Sequence, residues 1–243
     1  MKKITLLLIF LFIAIKISYA DDFIDASNFY KNSEYSKALE IYKKYENNAN
    51  PYILYNIGNC YYKMNNKDEA LAYYIKTFNL NPRVSGLKEN LIKTATENGN
   101  ELFSQDIPEI LYSIYYSMSK YEIITFFEIF FIALVILLIL KSKNKISNIN
   151  NHIFILIIIT AIFGTWYILR KNSVFDRCGV IIEDTDLYSG PSNTFQVVAN
   201  IPKGRIIEVL SEKNDFIEVG VPKENIKGWL ESKNLIKSYM EAK

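Results

Sequence analysis

The chain is poor in the residues that carry most chemistry. Among 243 residues there is one histidine, and there are two cysteines and two tryptophans. The histidine, His152, borders a long apolar run, so imidazole acid–base work would have to sit at a membrane boundary. Two cysteines without a histidine partner make no metal site. No nucleophile–base set and no glycine-rich phosphate loop stands out, so neither an enzyme nor a cofactor is expected. The formal net charge is +2, which supplies no field for nucleic acid.

Apolar residues are plentiful, making up 50% of the chain, and three runs hold much of the excess. The first belongs to "MKKITLLLIFLFIAIKISYA". Lys2 and Lys3 form a charged start, Ile4–Ile15 an apolar core, and Ser18 and Ala20 small residues before Asp21. Residues 1–20 therefore read as a secretory signal cleaved after Ala20, with an uncleaved anchor as the alternative. No cysteine follows Ala20, so a lipoprotein start is not expected. The two later runs read as membrane spans, at 122–140 and 152–170. Between them "KSKNKISNINN" carries three lysines and no acid, the mark of a cytoplasmic loop, assigned to 141–151. The spans then form a hairpin that leaves residues 21–120 and 172–243 outside the cytoplasm. Glu128 is an acid within the first span that can reach the headgroups.

Before the spans, a pattern recurs. Ala26 and Ala38 are 12 apart, as are Gly58 and Ala70. An aromatic stands 4 residues after each alanine, at Tyr42 and Tyr74. The two alanines, 32 apart, fix a period close to the ~34 residues of a known helical repeat. Small residues let two helices cross closely, and aromatics fill the space between them. "NS" at 32–33 and "NN" at 65–66 make the turns, and Pro51 and Pro82 separate the units. With Leu54, Ile57, Gly58, Tyr61, Ala70, Tyr74 and Pro82, the second unit resembles the tetratricopeptide repeat. The first unit is weaker, with Ala26 in place of glycine. A third, "SGLKENLIKTATEN", supplies a first helix before the pattern fades. Residues 21–100 are assigned to these repeats.

The resemblance implies a scaffold whose first helices line a concave groove. In the second unit the groove side carries Tyr55, Asn56, Asn59, Tyr62 and Lys63. Phe23, Ser27 and Tyr30 are the counterparts one unit earlier, and Asn90 falls at the place of Asn56 in the third. Amides there can hold a peptide backbone or a terminal carboxylate, with Lys63 adding charge; a solvated helix face is the plainer alternative. Cys60, inside the same helix, reads as a small buried residue, although a disulfide to Cys178 is open to an exported protein. Residues 101–121 have apolar positions at helical spacing and several tyrosines. They read as a connecting helix that packs on the repeats or lies at the membrane interface.

After Arg170 the composition turns to β-branched residues and turn signals, with five short strands expected between 176 and 240 as a small all-β barrel. Ser189–Ser192, Lys203-Gly204, Val209-Leu210, Phe216 and Gly228-Trp229 resemble, in order and spacing, the bacterial SH3-type (SH3b) domain. Tyr188 stands where an arginine is common, and Phe216 where a tryptophan is usual. Tyr188 and Trp229 are candidates for a binding surface or for core, and Phe216 is expected in the core. The resemblance implies contact with cell-wall peptides or with a neighbouring domain.

The whole order is a multidomain chain: signal, all-α repeats, membrane hairpin, SH3-like barrel. It resembles the BatE-like family of Bat-type aerotolerance proteins. That implies a non-enzymatic inner-membrane scaffold with its repeats and barrel in the periplasm. The implied partners are von Willebrand A-type membrane proteins. Peptidoglycan binding is the alternative, and nucleic acid is not expected.

Overall fold

The computed structural model describes residues 22–102, 108–143, 150–171, 175–222 and 224–239. The expected signal segment, most of the basic loop and part of the connecting stretch lie outside them.

The N-terminal half is built from helical hairpins. α1 covers 22–31 and α2 Tyr35–Lys43. A 3₁₀ turn at Glu46–Asn48 leads to α3, Pro51–Lys63, and α4, Lys67–Leu80. α5, Leu87–Glu97, follows. Pro51 opens α3 where its missing N–H costs nothing, and the Asn50 side chain caps the helix by accepting the Tyr52 N–H. Each hairpin turns on a residue in the left-handed region, Ser33 at φ 64° and Asn65 at φ 65°. The two stand at equivalent places in the two units, as the turn assignments anticipate. Ala26, Ala38, Gly58 and Ala70 are all buried at the crossings. At Gly58 a β-carbon would lie 2.8 Å from the Tyr74 ring and 3.4 Å from the Ala70 carbonyl, so only glycine allows α3 and α4 to approach this closely. Tyr61 stacks on Tyr73 with centroids 5.5 Å apart.

α4 is the centre of the molecule. Eight of its residues, among them Leu71, Tyr73, Tyr74, Ile75 and Phe78, are buried and together face every direction around the axis. A helix apolar all round must be covered all round. α3 and α5 cover two sides, and the C-terminal sheet covers much of the rest.

That sheet has seven antiparallel strands in the order β3-β2-β6-β5-β4-β1-β7. They are β1 Cys178–Ile181, β2 Thr185–Tyr188, β3 Val197–Ile201, β4 Ile206–Lys213, β5 Phe216–Val221, β6 Ile226–Glu231 and β7 Leu235–Lys237. Five were expected. The two further strands arise because the stretch before Ser189 divides into β1 and β2, of four residues each, and because β7, three residues after a 3₁₀ turn at Ser232–Asn234, is too short for its alternation to show. Ile181, Leu187, Ile207, Val209, Ile217, Val219 and Leu230 form the sheet's own core. All four residues of β1 are buried, because one side meets this core and the other meets α4. Phe175, Cys178, Val180 and Ile206 share one cluster with Leu71, Ile75, Phe78, Leu87 and Leu91. The sheet thus lies on the surface of α4 and α5 that a second helix of a third unit would otherwise cover.

Polar contacts seal the junction. Asn79 Nδ2 donates to the Phe175 carbonyl at 2.6 Å and the Ser238 carbonyl at 3.1 Å. Asn100 Nδ2 donates to the Gly204 carbonyl at 2.6 Å. Gly204 has φ 79°, and a β-carbon there would lie 2.9 Å from Asp68 Oδ1, so the turn needs glycine on both counts. Repeats and sheet, expected as separate domains, share one core.

Between them stand a short helix, α6 (Glu109–Tyr115), and two long ones, α7 (Lys120–Ser142) and α8 (Asn150–Lys171). α7 begins with a capping box: Ser119 Oγ accepts the Glu122 N–H, and Glu122 accepts the Ser119 N–H. Its 23 residues span about 35 Å at 1.5 Å per residue. α7 and α8 pack on each other, with Phe163 between Phe126 and Phe130 at 5.6 and 5.4 Å. Both helices are long and apolar enough to cross a membrane, and few of their side chains are buried among the described residues.

Candidate functional site

The surface of α3 facing α5 holds most of the residues singled out in the repeats. Asn90 Nδ2 donates to the Tyr55 hydroxyl at 2.8 Å and to Asn59 Oδ1 at 3.3 Å. Asn59 Oδ1 also accepts the Tyr74 hydroxyl at 2.8 Å. Tyr55, Asn59 and Asn90 are therefore brought together, as a hydrogen-bonded ladder joining α3 to α5. These amides are engaged with each other, which leaves less of them for a ligand. Burial raises the Tyr55 hydroxyl above its ordinary value, against the bonds from Asn59 and Asn90. Gly86 lies under that ring: a β-carbon there would come 2.8 Å from the Tyr55 hydroxyl.

Asn56 sits beside the Tyr42 hydroxyl of α2. Lys63 is exposed at the end of α3. The Tyr62 hydroxyl donates to Glu97 at 3.2 Å, and Lys93 lies over the Tyr62 ring at 5.3 Å. Asn90, Lys93 and Glu97 recur at helical spacing on the face of α5 that flanks its buried Leu87, Leu91 and Ala95. That spacing was a signal for Lys93 and Glu97, which the sequence reading missed. In the first unit Ser27 and Tyr30 are half-buried, and burial pushes the Tyr30 hydroxyl up to about 12. Phe23 turns away from its expected place and packs on Tyr42 and Tyr45 at 6.4 and 5.0 Å, because the aromatics of α2 and its following turn give it an apolar seat.

In the sheet, Tyr188 opposes Trp229 across β2 and β6. Their chain neighbours Leu187 and Leu230 point into the core, so Tyr188 and Trp229 stand half-buried on the other face. Phe216 joins them, 6.4 Å from Tyr188 and edge-on. The expectation that Phe216 is core is corrected by alternation along β5, where Ile217, Val219 and Val221 take the inward places. A separate groove of about 730 Å³ on the same sheet is lined by Leu210, Val221 and Pro222, with Glu208 and Lys227 among its polar residues.

Cys60 and Cys178 are free thiols in two different buried clusters, which corrects the disulfide alternative. Burial pushes both up to about 12. His152 is exposed in the first turn of α8, and Glu128 is exposed on α7.

The α3–α4 hairpin is the part of the chain with a family match: residues 51–84 match the family model of the tetratricopeptide repeat. Comparison with the curated proteins and with the solved structures finds no match. The class defined so far is a repeat-bearing protein of the kind that mediates protein–protein contact, joined to a C-terminal antiparallel sheet and two helices able to cross a membrane.

Proposed function

We propose that this chain is a non-enzymatic membrane scaffold that gathers partner proteins on one face of a bilayer. The observation that carries the proposal is the common core. Residues 22–102 and 175–239 bury side chains in one cluster, yet α7 and α8 separate them in the chain. Two spans return the chain to the side it left, so repeats and sheet fold together only if both are on that side. The lysines of the intervening loop favour the cytoplasm for the loop, which leaves the body in the periplasm of an inner-membrane protein.

The repeat groove is the proposed partner site. Tyr62 and Lys63, with Asn56, are the groups to test there. Asn59 and Asn90 set the spacing of α3 and α5. The sheet, as an SH3b-type domain, supplies a second surface through Tyr188 and Trp229. The order of the parts resembles that of the Bat-type aerotolerance proteins, and that resemblance supports membership of such a complex, with von Willebrand A-type membrane proteins as partners. The test is capture from membranes by the tagged full chain, with mass spectrometry. Recovery of such proteins, lost in Tyr62→Ala/Lys63→Ala, is the expected result; recovery unaffected by that change removes the groove from the proposal. Sedimentation of the whole detergent-solubilised chain with peptidoglycan tests the wall-binding alternative. A fragment of the sheet alone would expose the face of β1 that α4 covers.

A further inference from the structure

α6 combines two kinds of surface. Its tyrosine side is packed: Tyr116 meets Phe78 at 5.1 Å and Phe175 at 6.1 Å. Its aliphatic side is exposed among the described residues. Ile110, Leu111 and Ile114 are 66%, 54% and 57% exposed, and their spacing puts them on one helical face. The two readings left open for this stretch therefore divide by residue type. The tyrosines pack on the protein, and the aliphatics await another surface.

The position of α6 tells what that surface is. Trp166 of α8 donates its indole N–H to the Tyr115 carbonyl at 3.1 Å. Trp166 lies five residues before the end of α8, about 7.5 Å inside that end at 1.5 Å per residue. Arg170, one turn further, is buried and stacks its guanidinium on Tyr116 at 4.4 Å and Tyr115 at 5.4 Å. On the other side, α7 starts five residues after α6 ends. α6 is thus pinned to both long helices at the level of their ends. Tryptophan, tyrosine and arginine are the residues that collect where hydrocarbon gives way to headgroups. Arg170 Nε and Nη1 find no hydrogen-bond acceptor among the described residues.

We infer that the Ile110–Leu111–Ile114 face of α6 is seated in the lipid surface, continuous with the lipid-facing sides of α7 and α8. α6 is then an interfacial anchor. It fixes the body against the bilayer, because its other side is joined to α4 and Phe175. The inference rests on the reading that α7 and α8 span a membrane, and the experiment separates the two.

The full chain is reconstituted in phosphatidylcholine vesicles with an environment-sensitive fluorophore on single introduced cysteines. Native Cys60 and Cys178 are buried and left in place. Leu111→Cys and Ile114→Cys probe α6, Ile132→Cys the middle of α7, and Lys63→Cys the repeats. Labels at 111 and 114 are expected to be quenched by lipid carrying a shallow spin label and shielded from aqueous iodide. The label at 63 should show the reverse, and that at 132 should respond to a deep spin label. Iodide quenching at 111 and 114 with lipid quenching at 132 overturns the anchor alone. Quenching by neither agent there also overturns it, since another protein surface then covers the face. Iodide quenching at 132 brings down the spanning reading and the anchor with it.

Discussion

Asn100 and Ile206 stand 106 positions apart, and the Asn100 side-chain oxygen accepts the Ile206 N–H at 3.1 Å. The same amide donates to the Gly204 carbonyl, so one side chain following α5 satisfies the N–H of the first residue of β4 and a carbonyl two residues before it. Asn100→Ala leaves a half-buried donor and acceptor unmet. The expected cost is about 1–3 kcal/mol of stability, read as a lower denaturant midpoint by circular dichroism. Helix and sheet signals should fall together, because the two halves share one core; separate transitions would show that they do not.

Gly58→Ala should destabilise the repeats. The added methyl meets the Tyr74 ring at 2.8 Å, and that ring is held between α3, α4 and Asn59. Overpacking of this kind costs about 1–3 kcal/mol. A thermal scan showing Gly58→Ala as stable as the parent would contradict the close crossing of α3 and α4.

Glu46 predicts an acid limb. It accepts from Lys43 at 2.7 Å, Tyr73 at 2.7 Å and Lys76 at 3.2 Å. Burial pushes its carboxyl up, but these three partners outweigh burial and hold it below its ordinary 4.5. A carboxylate whose folded value is depressed stabilises the fold above its unfolded value, and loses that contribution as pH falls through the lower folded one. Stability should therefore fall below about pH 4.5, and Glu46→Gln should flatten that fall while lowering stability at neutral pH. An unchanged pH profile in the variant would assign the acid limb elsewhere.

Cys60 and Cys178 should resist thiol reagents in the folded protein and react fully in denaturant. Both are buried, and burial keeps both in the thiol form at neutral pH. Fast labelling of either without denaturant would mean that its cluster opens readily.

The hairpin topology is tested by accessibility. Cysteines placed at Lys63 and Asn214, both exposed, should react with an impermeant reagent from the same side of sealed vesicles. Labelling from opposite sides is incompatible with the common core.

The packing grammar of α3 and α4 was legible in the sequence because it is local. Gly58, Ala70 and Tyr74 keep fixed offsets, and a helix converts those offsets into one face. The two apolar helices were legible for a similar reason, since crossing hydrocarbon needs only an unbroken run of the right length. The Leu187/Tyr188 and Ile217/Phe216 alternations also carried their answer, because a strand turns successive side chains to opposite faces.

Other features depended on residues far apart in the chain. Asn59 and Asn90 have the composition of a ligand-binding pair, but α5 lies close enough to α3 that they bond to each other and to Tyr55 and Tyr74. Nothing local in "CGVI" says that both of its sides are buried, because α4 lies about a hundred residues upstream. By itself the sequence determined the repeat helices, most of the strands and the apolar spans, each a matter of short-range periodicity. Only the tertiary structure decided that the sheet closes the repeats, and that α6 keeps its tyrosines for the protein and turns its aliphatics outward.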